Sequence, residues 1–290
     1  MPKRPHGFKR LVLALQLAAP DRGLQVAAEL ADLLQVELLG LCLEDSALRN
    51  LAGLPFAKEF RGLSAGWQPI GLEQLSRDLE LAARGLERMF DAAAKELSTT
   101  ARFEVMRGRL AESVAAISRS GDIFVVMEPA SPAERASSQF AWLTEAAFKS
   151  TSAVLLLPQR IVRNKGPVVA IAAMPDDPSI HAAAALAVAA GEELVIIDAD
   201  HQQVSIDTAP LSGGETGLKV EQLTAAKSAF PDPAACTQAF RHLQERLIVM
   251  THGAFDDSVA SIIASTRQVP VLVIEPPKRE DAAAMQSAAT

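Results

Sequence analysis

Two stretches of this chain follow one plan, and that plan leaves few folds open. The first opens with the apolar run RLVLALQ (Arg10 to Gln16) and closes with SAVLLLPQ (Ser152 to Gln159). The second opens with PVVAIAA (Pro167 to Ala173) and closes with VPVLVIEPP (Val269 to Pro277). Runs of Leu, Val and Ile without polar alternation describe strands buried on both faces. A repeat longer than about 100 residues exceeds a solenoid module and suits a duplicated domain. Strands that alternate with helices imply parallel sheets, right-handed crossovers and helices on both faces. The expectation is an α/β chain of two five-stranded parallel sheets, in residues 8–158 and 166–276, each with its own core.

The pieces between the runs carry helical signals. In the first half, Leu24, Ala27, Ala28, Ala31 and Leu34 recur on one helical face after the capping residue Asp21. Leu75, Leu79, Ala82, Leu86, Met89 and Phe90 do the same across a long helix from Leu72 to Leu97. Residues 46–71 read as irregular: GLPFAKEF (Gly53 to Phe60) sets Leu54, Phe56 and Phe60 in a Gly- and Pro-containing stretch. That segment is expected to pack over the sheet edge, with a lid or partner-docking loop as the alternative. The second half repeats the order but is about 40 residues shorter in its middle, so it is expected to lack the long second helix. Residues 201–217, rich in Gly and Ser, stand there as a loop, and residues 277–290 read as a disordered tail.

Composition excludes several classes. At 290 residues, 49% hydrophobic and 22% charged, the chain has enough apolar content for two globular cores. Its net charge of −7 argues against nucleic acid or an anionic membrane as partner, the short basic start (Lys3, Arg4, Lys9, Arg10) notwithstanding. No apolar run approaches the ~20 residues that span a bilayer, and no signal peptide is legible, so a cytoplasmic location is expected. Cys42 and Cys236 have neither disulfide-framework nor metal-ligand spacing, and the histidines (His6, His181, His201, His242, His252) show no metal spacing either.

The segment DSVASIIASTRQVPVLVI (Asp257 to Ile274) resembles the last helix and strand of universal stress protein domains. Ser258, Val259, Ala260, Ile262, Ile263 and Pro270 to Val273 stand in register with that pattern, and LIVMTHG (Leu247 to Gly253) resembles the strand and turn before it. The resemblance covers about residues 8–158 and 166–276, as a tandem pair. It implies a Rossmann-like fold in which the final strands, Ala153 to Leu157 and Val271 to Ile274, meet antiparallel. The chain would then be an intramolecular pseudo-dimer, with a homodimer also open.

Nucleotide-binding members of that family use a Gly-x-x-Gly, a spacer, then Gly-Ser/Thr. Glycines let backbone N–H groups reach phosphates, and a helix N-terminus adds positive potential. An Asp ends their first strand. Here the first half has Glu128 and Pro129 where the first glycine and its neighbour belong, and its first strand ends in Gln16. The second half keeps Gly253 and Ser258, separated by only four residues and by Asp256 and Asp257, and its first strand ends at Ala173 and Met174. As a purely structural motif, Thr251, His252 and Gly253 form a turn, and Asp257 or Ser258 caps the following helix.

The sequence therefore points to a non-catalytic, cytoplasmic stress-response or regulatory protein that acts through protein contacts and has no cofactor. The alternative is an ATP or AMP sensor with a modified site at Thr251, Gly253 and Ser258. His252 beside Asp256, Asp257 and Ser258 invites an acid–base reading, but neighbours on one loop seldom converge as a triad must. A phosphoryl hydrolase stands behind both.

Overall fold

The computed structural model describes residues 7–15, 21–61, 66–95, 97–108, 110–119, 121–128, 138–149, 153–199 and 218–275. The first half contributes strands β1 (Arg10–Leu15), β2 (Glu37–Asp45), β5 (Ala101–Gly108), β6 (Asp122–Met127) and β7 (Ala153–Leu157). The second contributes β8 (Val168–Ala172), β9 (Leu194–Asp198), β10 (Val220–Thr224), β11 (Leu247–Thr251) and β12 (Val271–Ile274). Within each half the neighbours are parallel, in the orders β7-β6-β1-β2-β5 and β12-β11-β8-β9-β10. The order of connections is the same in both.

The two sheets expected from the sequence are one. β12 pairs antiparallel with β7, Val271 opposite Leu156, Leu272 opposite Leu155 and Val273 opposite Val154, so ten strands form a single sheet. All of β7 and β12 is buried. Apolar residues at every position, Leu, Val and Ile at all but Ala153, make these strands insoluble as free edges and suited to pairing with each other.

The core is divided by sheet face and not by half. One buried cluster joins Leu24, Ala27 and Ala31 of α1 (Asp21–Leu33), Leu86 and Phe90 of α3 (Leu72–Ala94), and Ile180, Ala183 and Leu186 of α6 (Pro178–Ala190). The other joins Val114 of α4 (Leu110–Ile117), Phe148 of α5 (Ser138–Lys149), Cys236 of α7 (Pro233–Ala239), and Val259 and Ile263 of α8 (Asp257–Arg267). Each layer runs across the β7–β12 junction. The separate cores expected above are therefore shared.

Local chemistry explains the boundaries. α6 begins where Asp177 accepts from the Ser179 N–H and Pro178 occupies the first turn, and it ends at Gly191 with φ 65°. On α3 the buried face is Leu79, Ala83, Leu86 and Phe90, so Ala83 takes the place expected of Ala82. Gly40 of β2 is what lets α3 approach: a Cβ there would lie 2.5 Å from the Phe90 ring.

The described residues of the 46–71 stretch carry more secondary structure than its Gly and Pro content suggested. They form α2 (Ser46–Ala52) and an antiparallel hairpin, β3 (Lys58–Arg61) with β4 (Gly66–Pro69). The hairpin is a separate two-stranded sheet. Between β9 and β10, residues 200–217 lie outside the described residues, as do 277–290, so the expected loop and tail are not described. Among the described residues no helix is long and apolar enough to cross a membrane.

A Gly40→Ala substitution is expected to cost about 1–3 kcal/mol by overpacking against Phe90. Urea denaturation measures it, and adding Phe90→Leu should recover part of the loss. Additive losses in the double variant would show that the two positions do not compete for space.

Candidate functional site

In open parallel sheets, ligands bind beyond the carboxyl ends of the strands. In the second half that region is built from the end of β8, the turn after β11 and the start of α8. Thr251, the last residue of β11, is 3% exposed, and its hydroxyl donates to Asp177 Oδ1 at 2.5 Å. Asp177 is fully buried. Its Oδ1 also accepts from the Ser179 N–H, and its Oδ2 from the Ala173 N–H, both at 2.9 Å. The Ser179 hydroxyl donates in turn to the Ile171 carbonyl.

A carboxylate thus sits near the end of the first strand after all, four residues beyond Ala173, at the positive end of α6. Asp177 is not among the candidate residues read from sequence. The available signal was Asp-Pro: an Asp directly before a Pro at the first helical turn is a capping position. This carboxylate accepts three bonds from the protein itself, which is the chemistry of a structural clamp.

Gly253 follows with φ 76° and is exposed. The turn is held by the His252 N–H to the Ile274 carbonyl and by the Ala254 N–H to the Thr251 carbonyl. His252 bridges the two halves. Its ring stacks on Phe148 of the first half, centroids 5.2 Å apart, and its Nδ1 lies 2.9 Å from Glu275 Oε1. Ser258 is exposed in the first turn of α8. The capping residue of α8 is Asp256, not Asp257 or Ser258, and its side chain makes no capping bond.

A groove of about 410 Å³ opens beside this turn, lined by Lys227, Ser228, Pro231, Gly253, Ala254, Phe255, Asp256 and Val259. Lys227 Nζ lies 5.0 Å from the centre of the Phe255 ring. Of the three residues singled out from sequence, only Gly253 lines the groove. Thr251 points inward to Asp177, and Ser258 stands outside the groove lining. The three share a turn and do not converge on one point.

In the first half, Glu128 is 2% exposed; its N–H donates to Leu157, and its carbonyl accepts from Gln159. Gln16 and residues 129–137 lie outside the described residues. At the carboxyl end of β2, Glu44 accepts from Arg107 at 2.9 Å and from Arg49 at 3.1 Å. Burial raises the Cys42 thiol pKa, with the Glu44 charge adding to it, and pushes that of Cys236 up to about 11. Neither cysteine is an activated nucleophile. Among the described residues no group of three or more His, Cys, Asp or Glu is placed to hold a metal ion.

No family model matches the chain, and no curated protein does. Solved structures do. A universal stress protein from Archaeoglobus fulgidus DSM 4304 superposes with a TM-score of 0.59 at 15% identity, over 94% of this chain and 99% of that one. A functionally unknown protein, PA1789, from Pseudomonas aeruginosa PAO1 superposes with a TM-score of 0.51 at 15% identity, over 98% of each chain. At that identity the likeness establishes the fold: an α/β architecture with a mostly parallel central sheet.

Thr251→Val keeps the shape and removes a donor from a buried carboxylate. It is expected to cost about 1.5–3 kcal/mol, the range for a hydrogen bond to a charged group, measured by urea denaturation. A loss under about 0.5 kcal/mol, the level of a neutral surface change, would mean the clamp is not holding the site.

Proposed function

We propose that this chain is a non-catalytic stress-response or regulatory protein of the universal-stress-protein type, made of two such halves in tandem. Its nucleotide site is degenerate, and it acts through protein contacts. The observation that carries this reading is the Thr251–Asp177 clamp. The hydroxyl and the carboxylate at the mouth of the second half are bonded to one another and to backbone, 3% and 0% exposed. Two further features support it. Asp256 places negative charge at the start of α8, where a phosphate would have to sit. Phe56, Phe60 and Trp67 are 74%, 58% and 68% exposed, an apolar surface of the kind that marks interaction sites. They do not pack over the sheet edge.

The second reading, an ATP or AMP sensor, is favoured by one observation: the groove at Gly253 has a lysine on its rim and room for a small ligand. In that reading Gly253 admits the ligand close to backbone, and Lys227 faces its charge.

Calorimetric titration of the full chain with ATP and with AMP, with and without magnesium, separates the two. The protein-contact reading expects no binding heat and no rise in Tm up to millimolar nucleotide. Micromolar binding that is lost in Ser258→Ala or Lys227→Ala would establish the sensor instead.

A further inference from the structure

A second groove, of about 340 Å³, lies between α1 and the segment that joins the halves, and it shares no lining residue with the groove at Gly253. Gln25, Val26 and Glu29 line it from α1, and Ile161, Val162 and Arg163 from the connection between β7 and β8. The connection is pinned along its length. The Gln159 side-chain amide donates to the Glu128 carbonyl, the Val162 N–H to the Gln268 carbonyl, and the Arg163 guanidinium to Glu245. Val26 and Ile161 are half-buried and pack on the core layer beneath, and Val162 is exposed, so the groove also has apolar surface. Its charges are unbalanced locally. Glu245 is one carboxylate shared by two guanidiniums, Arg267 and Arg163, so the trio keeps one net positive charge. Arg163 is its most exposed member, at 24% against 11% for Arg267 and 0% for Glu245. Its Nε and Nη2 are occupied by Glu245 and the Arg267 carbonyl, while Nη1 bonds to no described residue. On the α1 wall, Glu29 is exposed and has no ion pair or hydrogen bond among the described residues.

We infer that this groove binds a free aliphatic α-amino acid. Arg163 Nη1 donates to the ligand's carboxylate, Glu29 accepts from its ammonium group, and Val26, Ile161 and Val162 take its side chain. A guanidinium already fixed by its other nitrogens offers that donor with little freedom left to lose, and charge-assisted bonds to a carboxylate are the strong ones. The groove's volume falls at the low end of the ~300–1,000 Å³ range of small-molecule sites, which suits a ligand of this size. Other classes match it less well. A di- or triphosphate would meet Arg163 as the one cation of the lining and be repelled by Glu29. A purely apolar ligand would leave both charges unanswered. A simple monocarboxylate would satisfy Arg163 and sit against Glu29 with no cation to offer it. The inference does not depend on whether the Gly253 groove takes a nucleotide, because the two grooves are separate.

The test is calorimetric titration of the full chain with L-leucine, L-isoleucine and L-valine, with Tm followed in parallel. At least one should bind with a Kd between about 10 μM and 1 mM. Two analogues of leucine dissect the contacts: N-acetyl-L-leucine lacks the ammonium group and L-leucinamide lacks the carboxylate. Each should bind at least about tenfold more weakly, the loss expected when a charge-assisted bond is removed. Glu29→Gln, at an exposed position that the fold does not need, should weaken leucine by the same factor and leave N-acetyl-L-leucine unchanged. Gln25→Trp, also exposed, should fill the groove and abolish binding with an unchanged circular dichroism spectrum. No heat and no rise in Tm with any of the three amino acids up to about 10 mM would overturn the proposal. So would N-acetyl-L-leucine binding as tightly as leucine, which would make this a plain carboxylate site. Wild-type affinity in both Glu29→Gln and Gln25→Trp would place the ligand elsewhere and overturn it as well.

Discussion

The antiparallel pairing of β7 with β12 is the contact on which the rest of the architecture depends. Each strand closes its own half, and each is apolar at every position. Left as an edge, either would present unpaired backbone groups beside Leu, Val and Ile. Paired, they turn two five-stranded blocks into one ten-stranded sheet and let each core layer run through the middle of the molecule. The carboxyl-end site of the second half is built against the same seam: His252, next to Thr251, stacks on Phe148 of the first half.

Buried charge pins the segment that joins the halves. Glu245 is fully buried and takes Arg267 in a two-pronged bond at 2.7 and 3.1 Å, and Arg163 at 3.3 Å. Arg163 belongs to the connection between β7 and β8, so the linker is fastened to the second half through this carboxylate. Arg267 also donates to the carbonyls of Phe240 and Leu243 after α7, the first of which accepts from the Leu243 N–H as well. The first half has a smaller version, in which Arg10 bonds Asp122 and the last carbonyl of α4 at Ile117. Such pairs are costly to bury and costlier to break, which makes them fixers of geometry more than sources of stability.

What could be read from sequence follows from how far each signal reaches. Continuous apolar runs announced the strands, and the antiparallel pairing of the last two came with the family resemblance. The division of the core did not, because the sequence marks which residues are buried without saying which half shares the burial. The β3–β4 hairpin was missed for a physical reason: its outward face is aromatic, so the polar alternation that usually betrays a two-stranded ribbon is absent. The Asp-Pro pair marks Asp177 as a helix cap, but its bond to Thr251, far along the chain, is one that no residue pattern records. At the site itself, Thr251, Gly253 and Ser258 were legible as neighbours in a turn. Their three separate orientations, inward, onto the groove and outside it, depend on tertiary packing.

Amide hydrogen exchange at the junction tests the central claim most directly. If the two halves are one cooperative sheet, the amides hydrogen-bonded across the β7–β12 seam should exchange only through global unfolding. They should be as slow as those of β1 and β8 at the heart of each half. Exchange through a separate, lower-energy opening, with β1 or β8 still protected, would contradict it and leave two domains that merely touch.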